Sequence, residues 1–250
     1  MFFTIITLVK NSMPYLEKNI ISVNKQKFKN FEHLMIYSNS KDDSYKIIKK
    51  NLNKKRKLII FNTANVYKAV NYAISKSKGD YLMLLHSDDF FYNDKILRNL
   101  NYHLNFYKSD VTYGNILFVN RKNFSKKIRY WIPGNFLNYK IYSGWTPPHT
   151  SLIIRKKVFK LIGLYSEKYK ISSDYDFIIR LFLKKNLKIS YLNKIFIFMR
   201  YGGLSTKPSK AFMKIKEDIT ISLKHFSLFG PFVYMLKIIR KIPQFIIVKP

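Results

Sequence analysis

The most informative residues in the sequence are two adjacent acids, Asp88 and Asp89, at the end of an apolar run. The run, residues 81–85 (YLMLL), is typical of a strand buried on both faces, and it stops at residues 86–89 (HSDD). Burying two carboxylates at such a position costs folding free energy unless a cation binds to them. In a chain with only 14 acidic residues, the pair indicates a divalent cation and an anionic ligand. A plain turn, with an aspartate capping the next helix, is the alternative.

The elements around the acid pair alternate between strand and helix. Apolar runs predict strands at residues 2–9, 33–37, 57–61 and 81–85, and helical spacing predicts helices near residues 14–23, 45–53, 66–74 and 96–104. This alternation predicts a parallel sheet with helices on both faces, which binds ligands beyond the carboxyl ends of its strands. The acid pair lies at that edge. No glycine-rich phosphate loop follows any of these strands, so a Walker loop and a dinucleotide fingerprint are excluded.

The second half of the chain has a less regular pattern. We expect a long strand at residues 111–120, a loop over 121–150, and then a short strand and a short helix over 151–162. The segment 172–177 (SSDYDF) precedes apolar residues at helical spacing, so a helix begins at Ser173 or Asp174. Two further strands are expected at 188–192 and 195–199, joined by a turn.

Composition limits the classes of function. The 250 residues are 47% hydrophobic, enough for a globular core, and the absence of cysteine excludes disulfides and thiol chemistry. The formal net charge of +32 suits nucleic acid or an anionic membrane surface, or reflects drift toward AT-rich codons. We expect no signal peptide and no membrane-spanning helix. Residues 207–250 form a basic amphipathic tail that either lies on an anionic membrane or packs back on the domain.

Four stretches together resemble the family-2 glycosyltransferases of the GT-A fold, especially bacterial enzymes that build capsule, O-antigen or exopolysaccharide. They are residues 7–11 (TLVKN), 79–89 (GDYLMLLHSDD), 147–181 (from PPHTS through SSDYDFIIRL) and 199–205 (MRYGGLS). The resemblance covers about residues 2–206. It implies an α/β, Rossmann-like GT-A domain with a mainly parallel sheet flanked by helices. Residues 1–110 would form the nucleotide-sugar and metal half, and residues 111–206 the acceptor half.

The resemblance also implies a reaction. The family moves a sugar from a nucleotide-diphosphate donor to an acceptor hydroxyl, with inversion at the anomeric carbon and usually with Mg²⁺ or Mn²⁺. We therefore expect a metal-dependent enzyme of polysaccharide assembly, cytoplasmic or peripheral on the inner face of the membrane. Its acceptor would be a glycan or a lipid-linked glycan, and no specific nucleic acid is expected. A sugar nucleotidyltransferase and a non-enzymatic basic nucleic-acid-binding protein are the alternatives.

Several residues match the family's metal-binding and catalytic positions. Asp89 matches the metal ligand, and Asp88 would share the metal or contact the ribose. Asp174 matches the general base, and Asp176 is the weaker candidate because residues two apart on a helix face different ways. Either aspartate can instead serve only to cap the helix or favour its dipole. His149 matches a histidine near the acceptor and diphosphate.

The remaining matches concern the donor. Arg200 and the turn containing Gly202, Gly203 and Ser205 match a loop beside the diphosphate, where a cation and free amides would stabilise the leaving group. The nucleotide contacts are expected from Thr7, Tyr37, Thr63 and Asp88. Tyr37 and Thr63 stand where the family usually has aspartates near the nucleoside, which leaves the base of the nucleotide undefined.

Overall fold

The computed structural model describes residues 1–203 and 208–246, in which nine strands form one sheet. The strands are β1 (Phe3–Val9), β2 (Phe31–Tyr37), β3 (Arg56–Ile60), β4 (Tyr81–Leu84), β5 (Phe90–Phe91), β6 (Val111–Val119), β7 (Lys127–Trp131), β8 (Ile153–Arg155) and β9 (Ile189–Arg200). The helices are α1 (Leu16–Asn24), α2 (Ser44–Lys50), α3 (Val66–Lys76), α4 (Ile96–Tyr107), α5 (Val158–Ile162), α6 (Ser173–Leu183), α7 (Pro208–Phe226), α8 (Gly230–Ile239) and α9 (Pro243–Ile246).

The first half of the sheet is parallel, as the alternating pattern predicts. Strands β3, β2, β1 and β4 lie side by side in that order, and every pair among them is parallel. β1 and β2 are buried along almost their whole length because helices cover both faces of the sheet. Their carboxyl ends therefore meet at one edge, with the residues that follow β4.

The second half makes the sheet mixed. β8 is antiparallel to β4 and to β6, β6 is parallel to β9, and β5 and β7 add antiparallel pairs at the far side. The predicted α/β class is confirmed, with parallel pairing concentrated in the first half.

Two sequence predictions of strands were wrong. β7 lies inside the segment expected to be a loop, because its residues (KIRYW) pair only with β6 and lack the apolar run of a buried strand. β9 is one strand of 12 residues, and the expected turn at Asn193 is instead an irregularity in its pairing with β6. There the Asn115 amide donates to Asn193 Oδ1 at 2.9 Å, which satisfies both side chains inside the sheet.

The C-terminal helices pack on the domain and also leave apolar surface exposed. Ile221 and Phe226 of α7 and Val233 of α8 belong to the main hydrophobic core. A short 3₁₀ turn, Ser227–Phe229, turns the chain so that α8 packs against α7. The stretch Pro208–Ile246 includes a window apolar enough to cross a membrane by length and composition, with mean hydropathy 1.2. The structure divides this stretch into α7, a 3₁₀ turn, α8 and α9, and the expectation of no membrane-spanning helix stays a prediction.

Candidate active site

Two cavities meet at His149 and Asp174. The first, which we call the sheet-edge cleft, has a volume of about 590 Å³ and lies beyond the carboxyl ends of β1, β2 and β4. The second, which we call the tail cavity, has a volume of about 830 Å³ and lies between β7, the segment 144–149 and helices α7–α9. His149, Asp174 and Arg200 line both cavities. A molecule in one cavity can thus meet a molecule in the other at these side chains.

The acid pair lines the sheet-edge cleft and is surrounded by cations. Asp89 is 1% exposed, and its Oδ1 accepts a hydrogen bond from the Arg200 backbone N–H at 2.9 Å. Burial, followed by the charge of Asp88, raises the pKa of Asp89 well above its ordinary value. The Asp88 carboxylate forms a salt bridge with Arg121 at 2.9 Å, and the Arg200 guanidinium donates to the Asp88 carbonyl. This end of the cleft is built to hold opposite charges close together.

The carboxylates fit a divalent cation that is held jointly with a phosphate. Within residues 1–203 and 208–246, no group of three or more His, Cys, Asp or Glu side chains could hold a metal alone. However, Asp89 Oδ2 is buried without a hydrogen-bond partner, and the Asp88 carboxylate is its neighbour in the chain. Mg²⁺ commonly binds one or two carboxylates and completes its shell with water and substrate phosphates. The donor set of this site matches that pattern.

A chain of three titratable side chains crosses the boundary between the cavities. Asp174, in the first turn of α6, lies 3.3 Å from His149 Nδ1, and His149 Nε2 lies 2.9 Å from His86 Nε2. Burial, with a contribution from His149, lowers the pKa of His86 to about 4, so His86 is neutral at pH 7. The Tyr67 hydroxyl lies 3.4 Å from Asp174 Oδ1. Asp174 is thus a half-buried carboxylate, held in place and open to both cavities.

The two candidate bases differ completely in their surroundings. Asp176 is buried and lines neither cavity, and its carboxylate accepts hydrogen bonds from Arg180, Lys224 and His225. Burial alone would raise the pKa of Asp176, but these three partners hold it well below its ordinary value. Asp176 therefore ties α6 to α7, and only Asp174 is placed where a substrate can reach it.

Some of the other residues predicted to contact the donor line the sheet-edge cleft, and others do not. Thr63, Arg200, Gly202 and Gly203 line the sheet-edge cleft, together with Asp88. Ser205 lies outside the described residues.

Thr7 and Tyr37 are placed away from the cleft, which corrects their predicted nucleotide contacts. The Thr7 side chain is fully buried, and its hydroxyl donates to the Leu85 carbonyl at 2.9 Å. Tyr37 is buried in an apolar cluster under α1 and α2, and its hydroxyl accepts from the Ser40 backbone N–H at 3.1 Å. Both side chains belong to strand positions that face packed helices rather than the open edge.

Sequence reasoning missed several residues of the site. The Arg121 and Arg200 guanidinium groups lie over the Tyr15 ring at 4.7 and 4.5 Å, so one aromatic side chain holds both cations at the acid pair. Arg121 is one of 46 Lys and Arg residues, and nothing in its local sequence distinguishes it. The tail supplies Lys214, Lys237 and Lys241 to the tail cavity. The sequence left open whether residues 207–250 pack on the domain, and it assigned no site residue to them.

Comparison with known proteins agrees with this architecture. The family model described as glycosyl transferase family 2 matches residues 4–163. An uncharacterized glycosyltransferase of Haemophilus influenzae is 30% identical over 219 residues, which cover 83% of this chain and 82% of that protein. A PGL/p-HBAD biosynthesis glycosyltransferase of Mycobacterium bovis is 27% identical and covers 85% of this chain and 82% of the relative.

Solved structures share the fold. Staphylococcus aureus TarS (residues 1–349, in complex with UDP-GlcNAc) superposes with a TM-score of 0.69 at 21% identity, covering 95% of this chain and 70% of that one. The mannosyltransferase PcManGT of Pyrobaculum calidifontis, in complex with GDP-Man and Mn²⁺, gives a TM-score of 0.62 at 12% identity, covering 94% and 68%. With the acid pair at the sheet edge and a match over residues 4–163, the chain belongs to glycosyl transferase family 2.

Proposed function

We propose that the protein transfers a sugar from a nucleotide-diphosphate donor to an acceptor hydroxyl, with inversion, during assembly of a cell-surface polysaccharide. The observation that carries this proposal is the position of Asp174, which lies where the two cavities meet. The donor would occupy the sheet-edge cleft and the acceptor the tail cavity. The family membership, and structural relatives in complex with UDP-GlcNAc and with GDP-Man and Mn²⁺, support this arrangement.

The proposed reaction is a single displacement. The acceptor oxygen forms a bond to the anomeric carbon while the bond from that carbon to the diphosphate oxygen breaks, and its electron pair leaves with the diphosphate. Asp174 takes the proton of the acceptor hydroxyl as general base. His149, 3.3 Å from Asp174, orients the carboxylate and shares its hydrogen-bonding network.

The leaving diphosphate requires positive charge. Arg121 and Arg200 hold that charge at the acid pair, where the low-dielectric cleft strengthens their effect. Asp89 and Asp88 would hold Mg²⁺ or Mn²⁺, and the bound ion would supply further neutralisation of the diphosphate. The cations of the chain position the donor.

Nucleotide binding to the sheet-edge cleft tests the donor half of the proposal. A thermal-shift panel of UDP, GDP, CDP and ADP, each with and without Mn²⁺, should give one nucleotide that raises the Tm only with metal. A nucleotide at a hundred times its Kd adds about 2.7 kcal/mol of stability, which is a shift of about 5 °C for a chain of this length. The Asp89→Asn variant should lose the metal-dependent part. No shift with any nucleotide would contradict the proposal.

The same proposal places the enzyme at an anionic membrane on the cytoplasmic side. The turn between α7 and α8 presents Leu228 and Phe229 to solvent at 92% and 74% exposure, and Phe232 in the first turn of α8 is 55% exposed, on a chain with net charge +32. Apolar residues at a tip, on a basic protein, fit the boundary of an anionic bilayer. In a sedimentation assay with phosphatidylglycerol vesicles, the wild type should pellet with the vesicles. The Phe229→Ser/Phe232→Ser variant should stay in the supernatant. Equal sedimentation of both proteins would contradict it.

A further inference from the structure

The tail cavity carries a large excess of positive charge. Its walls include six cationic side chains and two carboxylates: Arg129, Arg200, Lys214, Lys237, Arg240 and Lys241 against Asp174 and Asp218. Asp218 is already matched, because Lys214 and Lys237 contact its Oδ2 at 2.6 and 3.1 Å. Two ammonium groups share this one carboxylate, so Lys214 and Lys237 together keep a positive charge that Asp218 does not balance. The other cations have only Asp174 as a further carboxylate inside the cavity.

Arg129 has no carboxylate partner among the residues that the structure describes. Arg129 is buried, and its guanidinium contacts Gln244 Oε1 at 2.8 Å and the faces of Phe118, Trp131 and Phe245. Burial lowers the pKa of Arg129 to about 10. A buried cation surrounded only by neutral groups is costly to a protein, and an anionic ligand removes that cost.

Lys241 shows the same imbalance. Within the described chain its ammonium group makes no hydrogen bond and no ion pair. The charges of Lys214 and Arg129 disfavour its charged form, and the more distant effect of Asp218 and Asp174 favours it without forming a contact. Burial, followed by Lys214, lowers the pKa of Lys241 to about 8. Because α7, β7 and the segment after α8 all aim cations at one space, the charge belongs to the cavity and not to a single helix face.

The rest of the cavity suits a sugar. Trp131, Trp145, Tyr201 and Tyr234 line it, and aromatic faces are common platforms for the apolar faces of sugar rings. A volume of about 830 Å³ accommodates more than one sugar unit. Asp174, at the inner end, would meet a hydroxyl of the bound molecule.

We infer that the acceptor is a phosphate-bearing glycan whose phosphate is bound by Lys241, Lys214 and Arg129 in the tail cavity. This inference rests on the proposed function, because it names the acceptor class of the same enzyme. A phosphate is favoured over a single carboxylate because several cations converge on the space, and a phosphate offers more oxygens and more charge to bind them. The phosphate can belong to a phosphodiester polymer or to a lipid diphosphate.

Intrinsic fluorescence provides a direct test. Trp131 and Trp145 are the only two tryptophans in the chain, and both line the tail cavity and not the sheet-edge cleft. The full-length protein is titrated with glucose 1-phosphate, glucose and glucuronate in the absence of any nucleotide. We expect a saturable change with glucose 1-phosphate at a concentration at least tenfold below that needed for glucose or glucuronate.

Variants assign the binding to the cavity. Lys241→Gln should weaken glucose 1-phosphate binding about tenfold, because one charge-assisted contact is lost. Lys50→Gln, on the exposed surface of α2, is the matched control and should bind like the wild type. Equal affinity for glucose, tighter binding of glucuronate, or an unchanged affinity in Lys241→Gln would each overturn the inference.

Two longer probes identify the source of the phosphate. Tighter binding of farnesyl diphosphate than of glucose 1-phosphate supports a lipid-linked acceptor, and tighter binding of a glycerol phosphodiester oligomer supports a polymer acceptor. The titration needs no donor, so it fails or succeeds separately from the nucleotide panel. A positive panel with a negative titration overturns the acceptor class alone, and the reverse result overturns the proposed donor chemistry.

Discussion

Asp174 and Asp176 are two residues apart, and exchanging each for asparagine should have opposite consequences. The Asp174 side chain is partly exposed, and its ion pair with His149 is 3.3 Å long, so it contributes less than about 1 kcal/mol to stability. Asparagine keeps an oxygen to accept from the Tyr175 backbone N–H. The Tm of Asp174→Asn should therefore stay within about 3 °C of the wild type.

Catalysis by Asp174→Asn should fall steeply. The amide cannot take the acceptor proton, and the loss of a general base costs about 10²- to 10⁴-fold in rate, or about 3–5 kcal/mol in the activation barrier. The assay measures sugar transfer, or slow hydrolysis of the donor, with the nucleotide sugar that the thermal-shift panel selects. Retention of more than about a tenth of the wild-type kcat would refute the assignment of Asp174 as the base.

Asp176→Asn is the internal control. Its carboxylate is buried and contacts Arg180, Lys224 and His225, so removing the charge leaves cations unpaired at a cost of about 3 kcal/mol. The Tm should fall by about 6 °C or more, while the folded fraction keeps its activity within a few fold. Loss of activity by Asp176→Asn without a change in Tm would show that the two roles had been exchanged.

Three further predictions follow from the tail and the cleft. Gly144→Ala should lower the stability by about 2 kcal/mol, because Gly144 has φ +74° and a Cβ there would lie 2.4 Å from the Lys237 backbone N. Gly134→Ala, with φ +68° and no atom within 4 Å, is the control and should lose less in a thermal melt. Glucose 1-phosphate binding should weaken as pH rises from 7 to 9, because Lys237 and Lys241, with pKa values of about 7 and 8, lose their protons over this range. The pKa of Arg129 is about 10, that of Lys214 is raised and that of Asp218 is lowered, so these three facing groups keep their charge. A flat fluorescence titration over this pH range would contradict the assigned cations. Glu217→Gln should reduce both the Tm and the rate of sugar transfer. Glu217 accepts hydrogen bonds from the backbone N–H groups of residues 170–172 at 2.8–2.9 Å, and these bonds hold the segment that leads to Asp174.

The parallel half of the fold could be predicted because its signals are local. The apolar runs of β1, β2 and β4 and the stripe of α3 are continuous in sequence, and the structure places them as expected. The acid pair followed from the same logic, since a polar break after a buried strand falls at the ligand edge of the sheet. β7 was missed because an edge strand that pairs on one side needs no apolar run.

The site could be predicted only in part, because side-chain direction is decided by tertiary packing. Thr7 sits at the end of β1, yet its hydroxyl is used inside the sheet by the Leu85 carbonyl. Lys241 and Arg129 lie far apart in sequence and meet only because α7 and α8 fold back on the domain. In a chain with 46 basic residues, no local pattern marks the few that face a cavity.

The anomeric configuration of the released sugar tests the central claim most directly. The protein is incubated with the selected nucleotide α-linked sugar and Mn²⁺ without an acceptor, so that water takes the place of the acceptor hydroxyl, and the first product is observed by ¹H NMR before mutarotation. Single displacement with Asp174 as the base predicts that the wild type first releases the β-anomer. The Asp174→Asn variant should release the sugar at least about 10²-fold more slowly than the wild type. Initial release of the α-anomer would contradict the account.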